Sequence, residues 1–207
     1  DNDTFEVELW TRPISNFSIT DSGCGPITYN TTNTTLYATS YNWTVISTDT
    51  NFPATIINPT DFEPTITFPE NTTNIAINYT ISLISTTDNG CTDTTTRTVT
   101  IYPTPNVSFN ADTNVGCGPL TVNFTNTSDP YNGEDTTSMS FDWYINNILQ
   151  TGTTNFTYTF PNIPEDTICY YIMLTGTTSH GCDTSFIDTI CVYPDPIATI
   201  EVNGLEQ

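Results

Sequence analysis

The chain has 207 residues, room for one large or two ordinary domains. Its 23 acidic residues face only Arg12 and Arg97, and a net charge of -21 excludes the basic surfaces that nucleic acid or an anionic membrane needs. No apolar run reaches bilayer length, no leader-like segment opens the chain, and six cysteines without a CxxC pair or clustered histidine point to disulfides in an oxidising compartment rather than zinc.

Taken in chain order, the elements repeat. "DTFEVELWTRP" (3–13) aligns with "DTTTRTVTIYP" (93–103), so residues 1–12 are predicted to be the last strand of a preceding repeat. Residues 13–103 form the first repeat. It opens with "PISNFSITDSGCGPITYN", carries "YNWTV" (41–45) as its third strand, and closes with "YTISLIS" and a turn at "NGCTDT". Residues 104–195 repeat the plan. Cys117 answers Cys24, Cys182 answers Cys91, "FDWYI" (141–145) answers "YNWTV", and an insertion lies near "DPYNGEDTTS" (129–138). Residues 196–207, "PIATIEVNGLEQ", match the opening of the repeat and are predicted to be the first strand of a following copy, with cysteine expected next. The abrupt ends are those expected of a window from a longer tandem array.

Each copy reads as all-β: short alternating runs broken by Pro, Gly, Asn and Asp about every ten residues, the pattern of a sandwich. Tyr79, Ile81 and Leu83 share one face, as do Tyr170, Ile172 and Leu174. No segment carries a helical period. Trp43 and Trp143 lie mid-strand and are assigned to the two cores.

"GCGPLTVNFTNTS", "FDWYI" and "YTFPNIPEDTICYYIMLTGTTSHGCDTS" resemble PKD domains, in the style of the cysteine-containing arrays of Bacteroidetes surface proteins. These include gliding-motility adhesins of the SprB type, exported by type IX secretion. The resemblance covers both copies and departs at the usual "WDFGDG" turn, here "WTVISTD" and "WYINNIL". It implies tandem seven-stranded Ig-like (PKD) β-sandwiches and a structural or adhesive role outside the cell.

Cys169 and Cys191 occur only in the second copy, where the first has Asn78 and Thr100. With the hairpin turn centred on His180 the two face each other across neighbouring strands, on the outer face, within disulfide reach. The other four cysteines admit two pairings. One lies within each copy, Cys24–Cys91 and Cys117–Cys182. The other joins Cys24 to Cys182 between copies and leaves Cys91 and Cys117 for neighbouring repeats. A first strand spanning roughly 23 Å would hold Cys24 and Cys91 at opposite poles, which favours the second pairing.

His180 sits in a turn without a nucleophile pattern around it, so no catalytic residue and no enzyme is expected. Asp129, Glu134 and Asp135 share one loop and are weak calcium candidates, without the spacing of a regular calcium loop. N-x-S/T sequons, Asn30, Asn33 and Asn126 among them, follow from composition, and Asp93-Thr94 and Asp188-Thr189 resemble Bacteroidetes O-glycosylation sites. The expected function is a structural stalk segment of a long extracellular adhesin at the cell surface. Its partners are neighbouring repeats of the same chain, with surface polysaccharide bound through other domains, and it needs no cofactor and no membrane insertion. The alternatives are an accessory module of a secreted glycosidase or protease, and an ectodomain binding ligand through the inserted loop.

Overall fold

The computed structural model describes residues 8–129, 139–163 and 165–195, and every regular element in it is a strand. The protein is all-β, with two Ig-like sandwiches in tandem. By contacts the chain divides into two compact units: one runs to Thr104 and takes in the turn Thr178–Cys182, and the other starts at Pro105 and omits that turn.

In the first unit the opening strand is split. β1 (Phe17–Ser18) pairs with β4 (Thr32–Asn33), which continues β3 (Ile27–Asn30) past Thr31, and β3 is followed across the sheet by β7 (Thr65–Phe68) and β6 (Thr55–Ile57). β2 (Ser22–Cys24) instead joins the opposing sheet, where it runs parallel to β9 (Thr92–Tyr102), next to β8 (Ile77–Thr86) and β5 (Ser40–Ser47). The chain therefore changes sheets between Ser18 and Ser22. The crossing is fastened where the Thr100 N–H donates to the Asp21 carbonyl at 2.8 Å. The continuous first strand expected from the sequence is thus two short ones.

The inner faces of these sheets supply the core. Tyr79, Ile81 and Leu83 are fully buried, and Trp43 is buried with its ring edge-on to Phe17 at 4.8 Å and its indole N–H donating to the Asp61 carbonyl at 3.0 Å. Each large apolar side chain so buried contributes roughly 1.5–3 kcal/mol. Asn71 is buried as well, and its amide donates to the carbonyls of Ile75 and Ile101 at 2.8 and 2.9 Å, which removes the penalty for an unpaired polar group.

The second unit repeats the plan with β10 (Phe109–Ala111), β12 (Leu120–Asn126) and β15 (Phe156–Phe160) in one sheet. The other sheet has the order β11 (Val115–Cys117), β17 (Asp183–Tyr193), β16 (Ile168–Thr177), β13 (Ser140–Ile145), β14 (Ile148–Thr151). Trp143 is fully buried among Phe109, Phe124 and Phe156, and its indole N–H donates to the Thr153 carbonyl at 3.0 Å.

The two copies differ after the tryptophan strand. Asn146 and Asn147 both take positive φ, 49° and 65°, between the paired Ile145 and Ile148. This is the two-residue turn whose twist suits a tight hairpin, so β14 stays beside β13. The first copy has no such pair in "VISTDT", and its β6 crosses to pair with β7 instead. Of the flanking strands expected at 1–12 and 196–207, residues 1–7 and 196–207 lie outside the described residues, and residues 8–12 join no sheet.

Candidate functional site

The chemistry of this chain is concentrated in its cysteines, and strand register decides where each one sits. β2 pairs with the end of β9, placing Cys24 opposite Tyr102, whereas Cys91 immediately precedes the first residue of β9. Eleven extended residues separate the two levels, about 36 Å at the rise of a strand, against the roughly 7 Å a disulfide tolerates. Cys117 likewise lies opposite Tyr193 at the end of β17, and Cys182 precedes its start. Pairing within a copy is excluded by this register.

The bond present is Cys24–Cys182, with the Cα atoms 5.4 Å apart and 158 positions between them in sequence. Cys182 closes the turn between β16 and β17 and belongs to the same compact unit as Cys24. The turn is held locally. The Thr178 N–H donates to the Cys182 carbonyl at 2.8 Å, and the Cys182 N–H donates to Thr178 Oγ1 at 3.2 Å. Beside the disulfide the rings of Tyr102 and His180 stack at 3.7 Å.

Around Cys24 the glycines are demanded by close packing. A Cβ on Gly25 would fall 1.9 Å from the Pro69 carbonyl oxygen, and one on Gly118 in the second copy 2.7 Å from the Asn162 Cα. The Gly25–Pro26 and Gly118–Pro119 peptides are both cis. Tyr29 Oη donates to the Ser22 carbonyl at 2.7 Å, and burial, followed by the nearby Asp21 charge, raises the Tyr29 pKa.

Cys169 and Cys191 are directly opposed in the β16–β17 ladder and bonded, with Cα atoms 4.1 Å apart. In the first copy Asn78 and Thr100 occupy the same opposed positions, and Thr100 Oγ1 donates to Asn78 Oδ1 at 2.8 Å. The remaining cysteines, Cys91 and Cys117, are free, the first half-buried and the second exposed.

One pair of equivalent rows on the outer faces of the two large sheets differs in polarity. A row across β5, β8 and β9 reads Thr44, Ser82, Thr96, all hydroxyls. The corresponding row across β14, β13, β16 and β17 reads Leu149, Tyr144, Met173, Ile187. Beside it, Asn146, Asn147, Cys169, Tyr171 and Ile187 line an open groove of about 530 Å³.

Glu134 and Asp135, two of the three calcium candidates, lie outside the described residues. Asp129 is described, its N–H donating to the Asn106 carbonyl at 2.8 Å, and no group of three or more metal-ligating side chains gathers among the described residues. Sequence reasoning missed the Tyr102–His180 stack. A Tyr-Pro pair does recur at 102–103 and 193–194, but only the register of β2 with β9 and of β11 with β17 sets each tyrosine opposite a "GCGP" cysteine. Sequence reasoning also missed the polarity contrast between these two rows, because rows form only once register across three or four strands is known.

No protein-family model matches the sequence, and no curated protein does. Among solved structures the chain is similar to the fibronectin(III)-like modules of Clostridium thermocellum CbhA, at 12% identity and TM-score 0.39, covering 86% of this chain and 94% of that one. It is similar to the Yersinia pseudotuberculosis adhesin InvE, at 12% identity and TM-score 0.31, covering 86% and 58%. It is also similar to titin A168169, at 8% identity and TM-score 0.31, covering 90% and 100%. These likenesses are distant, and the Ig-like assignment rests on strand order and register.

Proposed function

We propose that this chain is a structural stalk segment of a long extracellular adhesin, in the manner of the PKD arrays of Bacteroidetes gliding-motility proteins of the SprB type, exported by type IX secretion. The observation that carries the reading is the Cys24–Cys182 bond. Tension applied at the two ends passes through residues 1–24, the disulfide and residues 182–207, so the 157 residues between the bonded cysteines lie off the load path. A covalent shunt of this kind serves a part that is pulled, and it requires no catalytic group. The disulfides and the net charge of -21 suit a surface protein in an oxidising compartment, kept apart from its neighbours by like-charge repulsion. Antibodies raised against the chain test the role on intact cells of the source. Label spaced along filaments beyond the outer surface is the expected result, and label confined to a soluble secreted hydrolase overturns it.

One observation favours a second reading, an accessory module of a secreted glycosidase or protease. The apolar row Leu149, Tyr144, Met173, Ile187 and the groove beside it give the second copy a face that a plain spacer does not need. Retention of the protein on insoluble polysaccharide, abolished by Tyr171→Ala, is the result this reading requires.

A further inference from the structure

Cys91 and Cys117 each reproduce one half of the bonded pair. The turn before Cys91 matches the turn before Cys182 bond for bond. The Thr87 N–H donates to the Cys91 carbonyl at 3.0 Å, as Thr178 does to Cys182, and the Gly90 N–H donates to the Thr87 carbonyl at 2.9 Å, as Gly181 does to Thr178. The Cys91 N–H donates to Thr87 Oγ1 at 3.1 Å, and Gly90 and Gly181 share a φ of 80°. The other half is as well matched. Cys117 lies opposite Tyr193 in a parallel ladder, as Cys24 lies opposite Tyr102. Tyr102 is covered by the His180 ring, whereas Tyr193 is 44% exposed beside an exposed thiol. The second end therefore carries the same Cys–Tyr pair as the bonded end, without the ring that covers the tyrosine there.

We infer that the Cys117–Tyr193 end is a socket and the Thr87–Cys91 turn a plug. The partner of each is the complementary element of another repeat of this same type, which a second copy of this chain supplies in solution. Asn89 of the plug stands where His180 stands in the bonded turn, so an amide plane replaces the imidazole over the tyrosine ring. Docking sets Cys117 against the incoming cysteine, and a low-molecular-weight disulfide such as oxidised glutathione is the oxidant. The two thiols lose two protons and two electrons as their Sγ–Sγ bond forms, and the oxidant is reduced to two thiols. The contact joins two different patches, so it is heterologous and each added copy leaves one socket and one plug for the next. Two chains of net charge -21 repel, so the coupling runs faster at raised ionic strength. The inference deepens the stalk reading and rests on it for its biological setting.

The test incubates the purified chain with oxidised glutathione at low and raised salt and follows it by non-reducing electrophoresis and peptide mapping. The expected result is a ladder of covalent oligomers containing Cys91–Cys117 crosslinked peptides. Cys91→Ser and Cys117→Ser each remain monomeric alone, and mixed in equal amounts they give a dimer and nothing larger. Tyr193→Ala slows the ladder several-fold while leaving the Cys24–Cys182 peptide intact. Dominant Cys91–Cys91 or Cys117–Cys117 peptides, or glutathione-capped monomers with no ladder, overturn the inference. Filament labelling on cells in the absence of a ladder would leave the stalk reading standing and remove only the coupling.

Discussion

The hairpin disulfide of the second copy is replaceable by a pair that the protein already uses at the same place. Cys169→Asn with Cys191→Thr installs there the hydrogen-bonded pair that Asn78 and Thr100 form in the first copy. The cysteines lie 22 positions apart, and in the chain-entropy model a loop of that size restrains the unfolded chain by about 3 kcal/mol. The incoming hydrogen bond returns about 1 kcal/mol. The net loss is about 2 kcal/mol, a fall of roughly 8–16 °C in the melting of a domain of this size. Differential scanning calorimetry reads it, with the fall confined to the transition of the second unit. A fall of under about 3 °C would refute the reasoning, because it would mean that the bond restrains nothing the hairpin does not already hold. The reciprocal exchange, Asn78→Cys with Thr100→Cys, forms a disulfide on mild oxidation and raises the first unit's transition. Failure of that bond to form would contradict the register of β8 and β9.

Other expectations concern the turn and the ionisable groups. Gly25→Ala drives a Cβ into the Pro69 carbonyl oxygen and costs roughly 1–3 kcal/mol in denaturant unfolding, whereas an unchanged midpoint would show that the turn relaxes freely. Asp93 is held below the usual carboxylate range chiefly by the N–H donated from Ser15 at 2.8 Å, and Asp112 by the backbone and side-chain N–H groups of Asn123. The folded pKa values lie below the unfolded ones, so this stability is complete above about pH 4 and fades as pH falls through the folded values. Acid titration of Asp93→Asn should show a weaker loss over that window than the parent. Tyr29 and Tyr79 are shifted upward, both chiefly by burial, so stability present below about pH 10 is lost above it. A melting temperature that is flat between about pH 9 and 11.5 would contradict this.

Much of the fold was legible because period-two patterning and the internal repeat are local signals. Tyr79, Ile81 and Leu83 alternate in the sequence and all three are buried, and Trp43 and Trp143 occupy the cores as their mid-strand positions imply. The split of the opening strand was not legible, because a change of sheet depends on which edge is free to pair, here the end of β9 beside Ser22–Cys24. The extra strand β14 follows from Asn146 and Asn147, a turn signal that stands in the sequence but is masked there by the departure from the family's usual turn. At the cysteines, the parity of a hairpin places Cys169 opposite Cys191 from the numbering alone. Choosing a partner for Cys24 requires the poles of a three-dimensional sandwich. The apolar row of the second copy was hidden for the same reason, since Leu149, Tyr144, Met173 and Ile187 are scattered over forty-four positions of sequence.

The load path through Cys24 and Cys182 is tested most directly by stretching one molecule between its ends, oxidised and then reduced. With the disulfides intact the account predicts that complete unfolding extends only the two outer segments, roughly 50 residues or about 175 Å of contour. After reduction the same molecule should extend along all 207 residues, to roughly 700 Å. Extension of the oxidised molecule to the reduced length would contradict the account, because it would show that the two cysteines are not joined under load.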